Sequence, residues 1–171
     1  MKFRVLLAAL VVAVATLGVA AQPVAAAPKP FSKAEVTVTR SWNVLAVVTG
    51  VRYARHKGYD RIVIDLKGTI PGYTVRWEKK LISDGSGIPF NVKGKAFLEI
   101  RLGWAAAHTI EGKPTWKGGP IYRADLGNVT RVVRTGDYEG YVGVGLALKK
   151  KKGFRIIEQR QPNRLVIDVA Q

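Results

Sequence analysis

Tyr59-Asp60-Arg61-Ile62-Val63-Ile64-Asp65-Leu66 and Pro162-Asn163-Arg164-Leu165-Val166-Ile167-Asp168-Val169 are two copies of one short segment. Each runs from a turn-forming Asp or Asn through Arg, three aliphatic residues and Asp to a closing aliphatic. Branched residues bounded by turn chemistry read as a strand. Alternation sets Ile62, Ile64 and Leu66 on one face and Arg61, Val63 and Asp65 on the other. The second copy likewise opposes Leu165, Ile167 and Val169 to Arg164, Val166 and Asp168. An apolar row backed by two charges framing a valine is the pattern of a sandwich strand sealed on one side. In an antiparallel pairing one register would serve both copies, setting Arg61 beside Asp168 and Arg164 beside Asp65. Such cross-strand ion pairs are worth roughly 0.2–1 kcal/mol each. Pairing of this kind is the structural reading of these four residues, and a ligand role for either arginine is its rival.

Working outward, Val51-Arg52-Tyr53 precedes the first copy much as Phe154-Arg155-Ile156 precedes the second. Each half therefore reads as a hairpin ending in the Arg-to-Asp strand, an approximate internal twofold. Further strands are expected at 35–40, at 44–53 with a bend or bulge at Gly50, at 73–78, and at 96–102 with Leu98, Ile100 and Leu102 facing the core. Later ones follow at 129–134, 141–148 and 154–158. Asp84-Gly85-Ser86-Gly87 and Asp137-Tyr138-Glu139-Gly140 read as turns. About nine or ten short strands with almost no helical periodicity predict an all-β, antiparallel β-sandwich. The stretch 103–120 shows neither period and reads as one long loop, with a helical turn open at Trp104–Ala107. Long loops in compact domains are more often functional than short ones.

The N-terminus has the layout of a secretory signal. Met1–Arg4 is basic, Val5–Ala21 is apolar apart from Thr16, and small residues crowd 19–27, placing cleavage between 21 and 27. An uncleaved anchor is the rival. Residues 28–43 then form a proline-stiffened leader with an edge strand, and 44–171 one domain of a mature chain of about 145 residues. With no cysteine, a disulfide framework, a thiolate metal site and a lipid-modified cysteine are excluded.

Removing Lys2 and Arg4 from 28 basic side chains leaves 26 against 12 acids, net +14. That excess attracts polyanions; outside a membrane these are anionic wall polymers, lipid headgroups or acidic glycans. Nucleic acid is disfavoured by the signal, and a membrane is expected only if the N-terminal segment is retained. Solubility alone is the plain alternative. Lys149, Lys150, Lys151 and Lys152 are the strongest local polyanion candidate, against a solvated hairpin tip. Arg131 and Arg134 add charge. Trp104 and Trp116, in the long stretch, are candidates for stacking on sugars, while Trp77, in a strand, reads as core; Trp42 is the fourth tryptophan. Catalytic signals are poor. His56 and His108 lack metal-ligand spacing, no metal or cofactor is expected, and Glu111, Asp125, Asp137 and Glu139 are the acids from which a hydrolytic pair would have to come.

Gly58–Leu66, the Asp84–Gly87 turn, Gly136-Asp137-Tyr138-Glu139-Gly140 and Pro162–Val169 together resemble the AMIN-like domain proteins of actinobacteria, which are similar to the AMIN domain found beside cell-wall amidases. The likeness spans about residues 47–170. It implies a β-sandwich that binds peptidoglycan or another envelope polymer and positions partner enzymes. This chain departs from that pattern in being strongly basic and in lacking a lipid-acceptor cysteine. The resemblance carries over no binding residues. The resulting expectation is a secreted, non-catalytic envelope-binding module. An envelope hydrolase or a protein-binding envelope scaffold are the alternatives.

Overall fold

The computed structural model describes residues 29–41 and 43–171. The signal segment, the first leader residue and Trp42 lie outside the described residues. Eleven strands follow in chain order: β1 (Val36–Val38), β2 (Ala46–His56), β3 (Tyr59–Lys67), β4 (Tyr73–Glu78), β5 (Ala96–Gly103), β6 (Ala105–Ala106), β7 (Ile121–Arg123), β8 (Val129–Tyr138), β9 (Tyr141–Leu148), β10 (Phe154–Gln159) and β11 (Arg164–Ala170). They form a six-stranded sheet in the order β1-β4-β5-β9-β8-β7 and a five-stranded sheet in the order β10-β11-β3-β2-β6. Every pairing is antiparallel except β2 with β6.

The inner faces are the apolar rows that alternation predicts. Ile62, Ile64, Leu165, Ile167 and Val169 from one sheet meet Leu98, Ile100, Leu102, Val144 and Leu146 from the other, all fully buried. Full burial of each such side chain is worth about 1.5–3 kcal/mol, which makes this interface the main source of stability. The β2–β3 register slips between Val48 and Gly50, the irregularity foreseen at that glycine. At 103–120 the structure corrects the sequence reading. No helical turn forms; Ala105 and Ala106 instead pair alongside β2 and close the sandwich, and all three of Ala105–Ala107 are buried. The strand count is accordingly eleven.

β3 and β11 lie side by side, with Arg61 opposite Asp168 and Arg164 opposite Asp65. Their charges face away from the core. Arg61 grips Asp168 through two hydrogen bonds of 2.7 and 2.9 Å, and Arg155 of β10 adds a third at 2.9 Å. Asp65 is held in the same way by Arg52 of β2, at 2.6 and 2.8 Å, and by Arg164 at 3.1 Å. Each aspartate thus collects one arginine from its own hairpin and one from the other. The two sites differ in burial: the Asp168 side chain is 0% exposed and that of Asp65 25%. The hairpins also differ, because Arg155 pairs directly with Asp168 whereas Arg52 stands opposite Val63 and reaches Asp65 diagonally.

The outer face of the six-stranded sheet is covered by chain. On β9 the outward residues are Gly143, Gly145 and Ala147, while Val142, Val144, Leu146 and Leu148 fill the core. A Cβ at Gly145 would lie 2.6 Å from Leu81 Cδ2, so the absence of a side chain makes room for the connection between β4 and β5. That connection folds back as a miniature hairpin, with Phe90 N–H donating to the Leu81 carbonyl and Ser83 N–H to the Ile88 carbonyl, both at 2.9 Å.

Candidate functional site

The basic side chains divide into two populations. Among the described residues every ion pair is made by arginine or histidine, and none by lysine. Arginine's planar fork suits bidentate grips on carboxylates, whereas the ammonium of lysine is a strongly hydrated point charge. Arginines pair with six of the twelve acids, Asp65, Glu78, Asp84, Asp125, Glu158 and Asp168, and help hold the fold, whereas the lysines are left outside the ion pairs.

Seven of the fourteen lysines among the described residues gather at one end of the sandwich. Lys149–Lys152 leave the end of β9, and Lys95 lies beside them because its N–H donates to the Leu148 carbonyl at 2.7 Å. Lys79 and Lys80 follow the end of β4, whose Glu78 pairs with Phe97 of β5. All these lysines are exposed. Of the acids beside Trp77, Glu78 is paired with Arg76, and Glu35 is exposed just before β1, whose Val36 pairs with Val75. Trp77 stands at the centre. Its Nε1 donates to the Lys33 carbonyl at 3.0 Å, its ring meets Phe154 edge-on at 5.9 Å, and the Lys151 ammonium lies 5.2 Å from the ring centroid.

The tetralysine turn is held from within. Asn128, 2% exposed, accepts from Lys150 N–H at 3.0 Å and donates to the carbonyls of Lys150 and Ala170 at 3.1 and 2.8 Å. The Lys149 ammonium caps the carbonyls of Leu126 and Gly127, each at 2.9 Å. Beneath them the buried carboxylate of Asp60 accepts the N–H groups of Gly127, Asn128 and Val129 at 3.0, 2.6 and 2.8 Å, and Gln171 Nε2 at 2.8 Å. Three backbone donors converging on one carboxylate satisfy groups that would otherwise be orphaned in the interior. Asp60 therefore fixes Asn128, and Asn128 fixes the lysines. Neither residue stands out in the sequence, where Asp60 reads as turn chemistry; the backbone partners of Asp60 lie 67 to 69 positions away, and Asn128 reaches Lys150 and Ala170 across 22 and 42.

The remaining sequence candidates separate. Trp116 is a correction: it is 3% exposed, stacked on Tyr122 at 5.2 Å, and joined to the core. Arg134 donates to the Trp116 carbonyl at 2.7 Å and lies over its ring, so the two form one packed unit. Arg131 is tied to Asp125, as is Arg123. Trp104, 37% exposed, neighbours Gly140 at the opposite end of β9 from the lysines. Trp77 is half-buried and packs against the core. The acids considered for hydrolysis are also dispersed. Asp137 pairs with His108 and accepts Ala107 N–H at the end of β8, whereas Asp125 precedes the start of that strand.

A second feature lies on the outer face of the six-stranded sheet. Glu99 of β5 accepts the Thr135 hydroxyl, beside the glycine floor of Gly143. Burial beneath the β4–β5 connection pushes its carboxyl up to about 8; the Thr135 hydrogen bond opposes this, and the charges of Asp84 and Glu78 reinforce it. Asp84 Oδ2 is buried there without a hydrogen-bond partner. A neutral Glu99 keeps this hollow from holding two adjacent carboxylate charges.

No curated protein and no solved structure matches the chain. Residues 46–171, the span that contains ten of the eleven strands, match the family model of the AMIN-like domain. An AMIN-like domain is a cell-wall-associated module and generally a non-catalytic one. The chain belongs to the AMIN-like domain family.

Proposed function

We propose that the protein is a secreted, non-catalytic module that binds peptidoglycan or anionic wall polymers through its lysine-rich end. The observation that supports this reading is the division of the basic residues: every arginine ion pair draws on the acids, half of which are so held, while seven lysines, none in an ion pair, collect near Trp77 and on a turn held by Asn128 and Asp60. A polymer of repeating anionic groups fits such a surface, because many weak contacts add along its length and displace its counterions. Trp77, only half-buried, offers indole surface against which the C–H groups of a sugar can pack.

Purified walls should sediment the protein at low salt, and the bound fraction should fall as ionic strength rises. Replacing Lys149–Lys152 by alanine should weaken binding on the order of tenfold, since each lysine lost removes a counterion-releasing contact. Walls stripped of their anionic polymers separate the two ligands: retained binding assigns peptidoglycan, lost binding the polymer. Failure to bind walls at low salt refutes the proposal.

A further inference from the structure

The outer face of the six-stranded sheet, beside the lysine-rich end, carries apolar surface that a water-soluble polymer would not use. On the miniature hairpin between β4 and β5, Ile82 is 47% and Ile88 66% exposed, although Leu81 beside them is buried. Ile82 bridges to Pro89, so the two isoleucines are held on an ordered hairpin. Leu81, Pro89, Phe90, Val92 and Phe97, together with Lys79 and Lys80, line a neighbouring depression of about 480 Å³. Lys93 and Lys95 follow in the chain, and Lys95 connects through Leu148 to the tetralysine turn. The exposed isoleucines, the depression and Lys79 and Lys80 are therefore neighbours on the outer face of the six-stranded sheet, where Glu78 and Asp84 are paired with arginines and Glu99 lies beside them.

We infer that this end docks onto the surface of an anionic phospholipid bilayer, with Ile82 and Ile88 entering the headgroup–acyl boundary and the lysines contacting lipid phosphates. Charge complementarity commits the surface to a lipid leaflet: lysine ammonium groups are attracted to anionic headgroups, and exposed isoleucines gain only where hydrocarbon is present. Both sheets and the core described above are formed by residues within 29–171, so that span can carry the surface. It uses the lysine end proposed above for wall polymers but does not require that any polymer bind there.

The test uses residues 29–171 with sedimenting vesicles of pure phosphatidylcholine or of phosphatidylcholine with about 30% phosphatidylglycerol, in parallel with delipidated walls. Association with the anionic vesicles should exceed that with neutral ones by at least about tenfold and weaken with salt. The double variant Ile82→Ser/Ile88→Ser should bind anionic vesicles roughly tenfold less while binding walls as before; both side chains are exposed, and unchanged thermal unfolding checks that the fold is kept. Lys79→Ala/Lys80→Ala should weaken vesicle binding as well. Equal association with both vesicle types, none with either, or an isoleucine effect of the same size on walls and vesicles overturns the inference. Wall binding without vesicle binding refutes the lipid surface and leaves the polymer reading standing; vesicle binding without wall binding does the reverse.

Discussion

Glu99→Gln should remove a pH dependence of stability that the native protein carries across neutrality. Folding places the Glu99 carboxyl beneath the β4–β5 connection, where its value rises from the ordinary 4.5 to about 8. Between those two values the folded protein keeps a proton that the unfolded chain has lost. Stability is therefore fully present below about pH 4.5 and declines as pH rises through 8. The full difference corresponds to about 5 kcal/mol as a ceiling, at about 1.4 kcal/mol per unit. Between about pH 6 and 8 the loss should reach about 2.5 kcal/mol. In a domain of this size that lowers Tm by roughly 8–10 °C.

Glutamine keeps the shape and an oxygen to accept the Thr135 hydroxyl but cannot ionise. Thermal or urea unfolding of residues 29–171 at constant ionic strength, from about pH 5.5 to 8.5, reads the effect. Wild type should lose stability steadily, the variant should stay nearly flat, and the two should diverge most at the alkaline end. Parallel curves for the two proteins, or a flat wild-type curve, would refute the reasoning, because either result means that Glu99 is charged in the fold at neutrality. The Asp84 N–H, which donates to the Thr135 carbonyl at 3.0 Å, offers a local reading. Its exchange in wild type should accelerate with pH beyond the intrinsic dependence, as the connection loosens over an ionised Glu99.

Asp168→Ala should cost about 3–5 kcal/mol in urea unfolding, because it strands Arg61 and Arg155 around a fully buried position. Asp65→Ala, the same substitution in the other copy, should cost only about 1 kcal/mol, since its partners are more exposed; equal costs would contradict the burial argument. Acid should also weaken the native fold. Hydrogen bonds from Arg52 hold Asp65 below its ordinary value, and those from Arg61 and Arg155 overcome the opposing effect of burial at Asp168. That stability is present above about pH 4 and is lost as pH falls through the lowered values, so an acid titration of unfolding should show its steepest loss below that point. Asp60→Ala should destabilise by about 3 kcal/mol or more, since three backbone donors lose their acceptor. It should also weaken wall binding in the fraction that stays folded, a combination that a purely structural Asp60 would not produce.

The sandwich and its central pairing were legible because both rest on local rules. Ile62, Ile64 and Leu66 alternate with charges, and the Arg and Asp positions of the two copies complement each other in one antiparallel register, which β3 and β11 adopt. Trp116 was not legible, because nothing within 103–120 is periodic. Its burial comes from stacking on Tyr122 and from a strap in which the Thr115 hydroxyl donates to the Val48 carbonyl, 67 residues away. The hollow at Glu99 was hidden for a related reason. The small outward residues of β9 show only that something approaches, and what approaches is set by where the β4–β5 connection turns back. Lys149–Lys152 are conspicuous in the sequence, but Asp60 and Asn128, which hold them, are not.

The excess charge of the chain therefore has a spatial meaning that composition alone does not carry. Had the lysines paired with the acids and the arginines remained outside, the same net charge would have given a surface of forks suited to individual carboxylates or phosphates. Instead Asp65 and Asp168 each engage two arginines, and that charge is spent within the sheet. What faces solvent around Trp77 is a set of ammonium groups on long stems, which can follow an irregular array of anions at little geometric cost. Such a surface attracts by density of charge more than by fit, so its selectivity must come from neighbouring features that are not charged. Two are in place: the half-buried indole of Trp77, which favours sugar, and the exposed pair Ile82 and Ile88, which favours lipid. Substituting each separately, with the lysines intact, distinguishes whether wall or membrane is what this end selects.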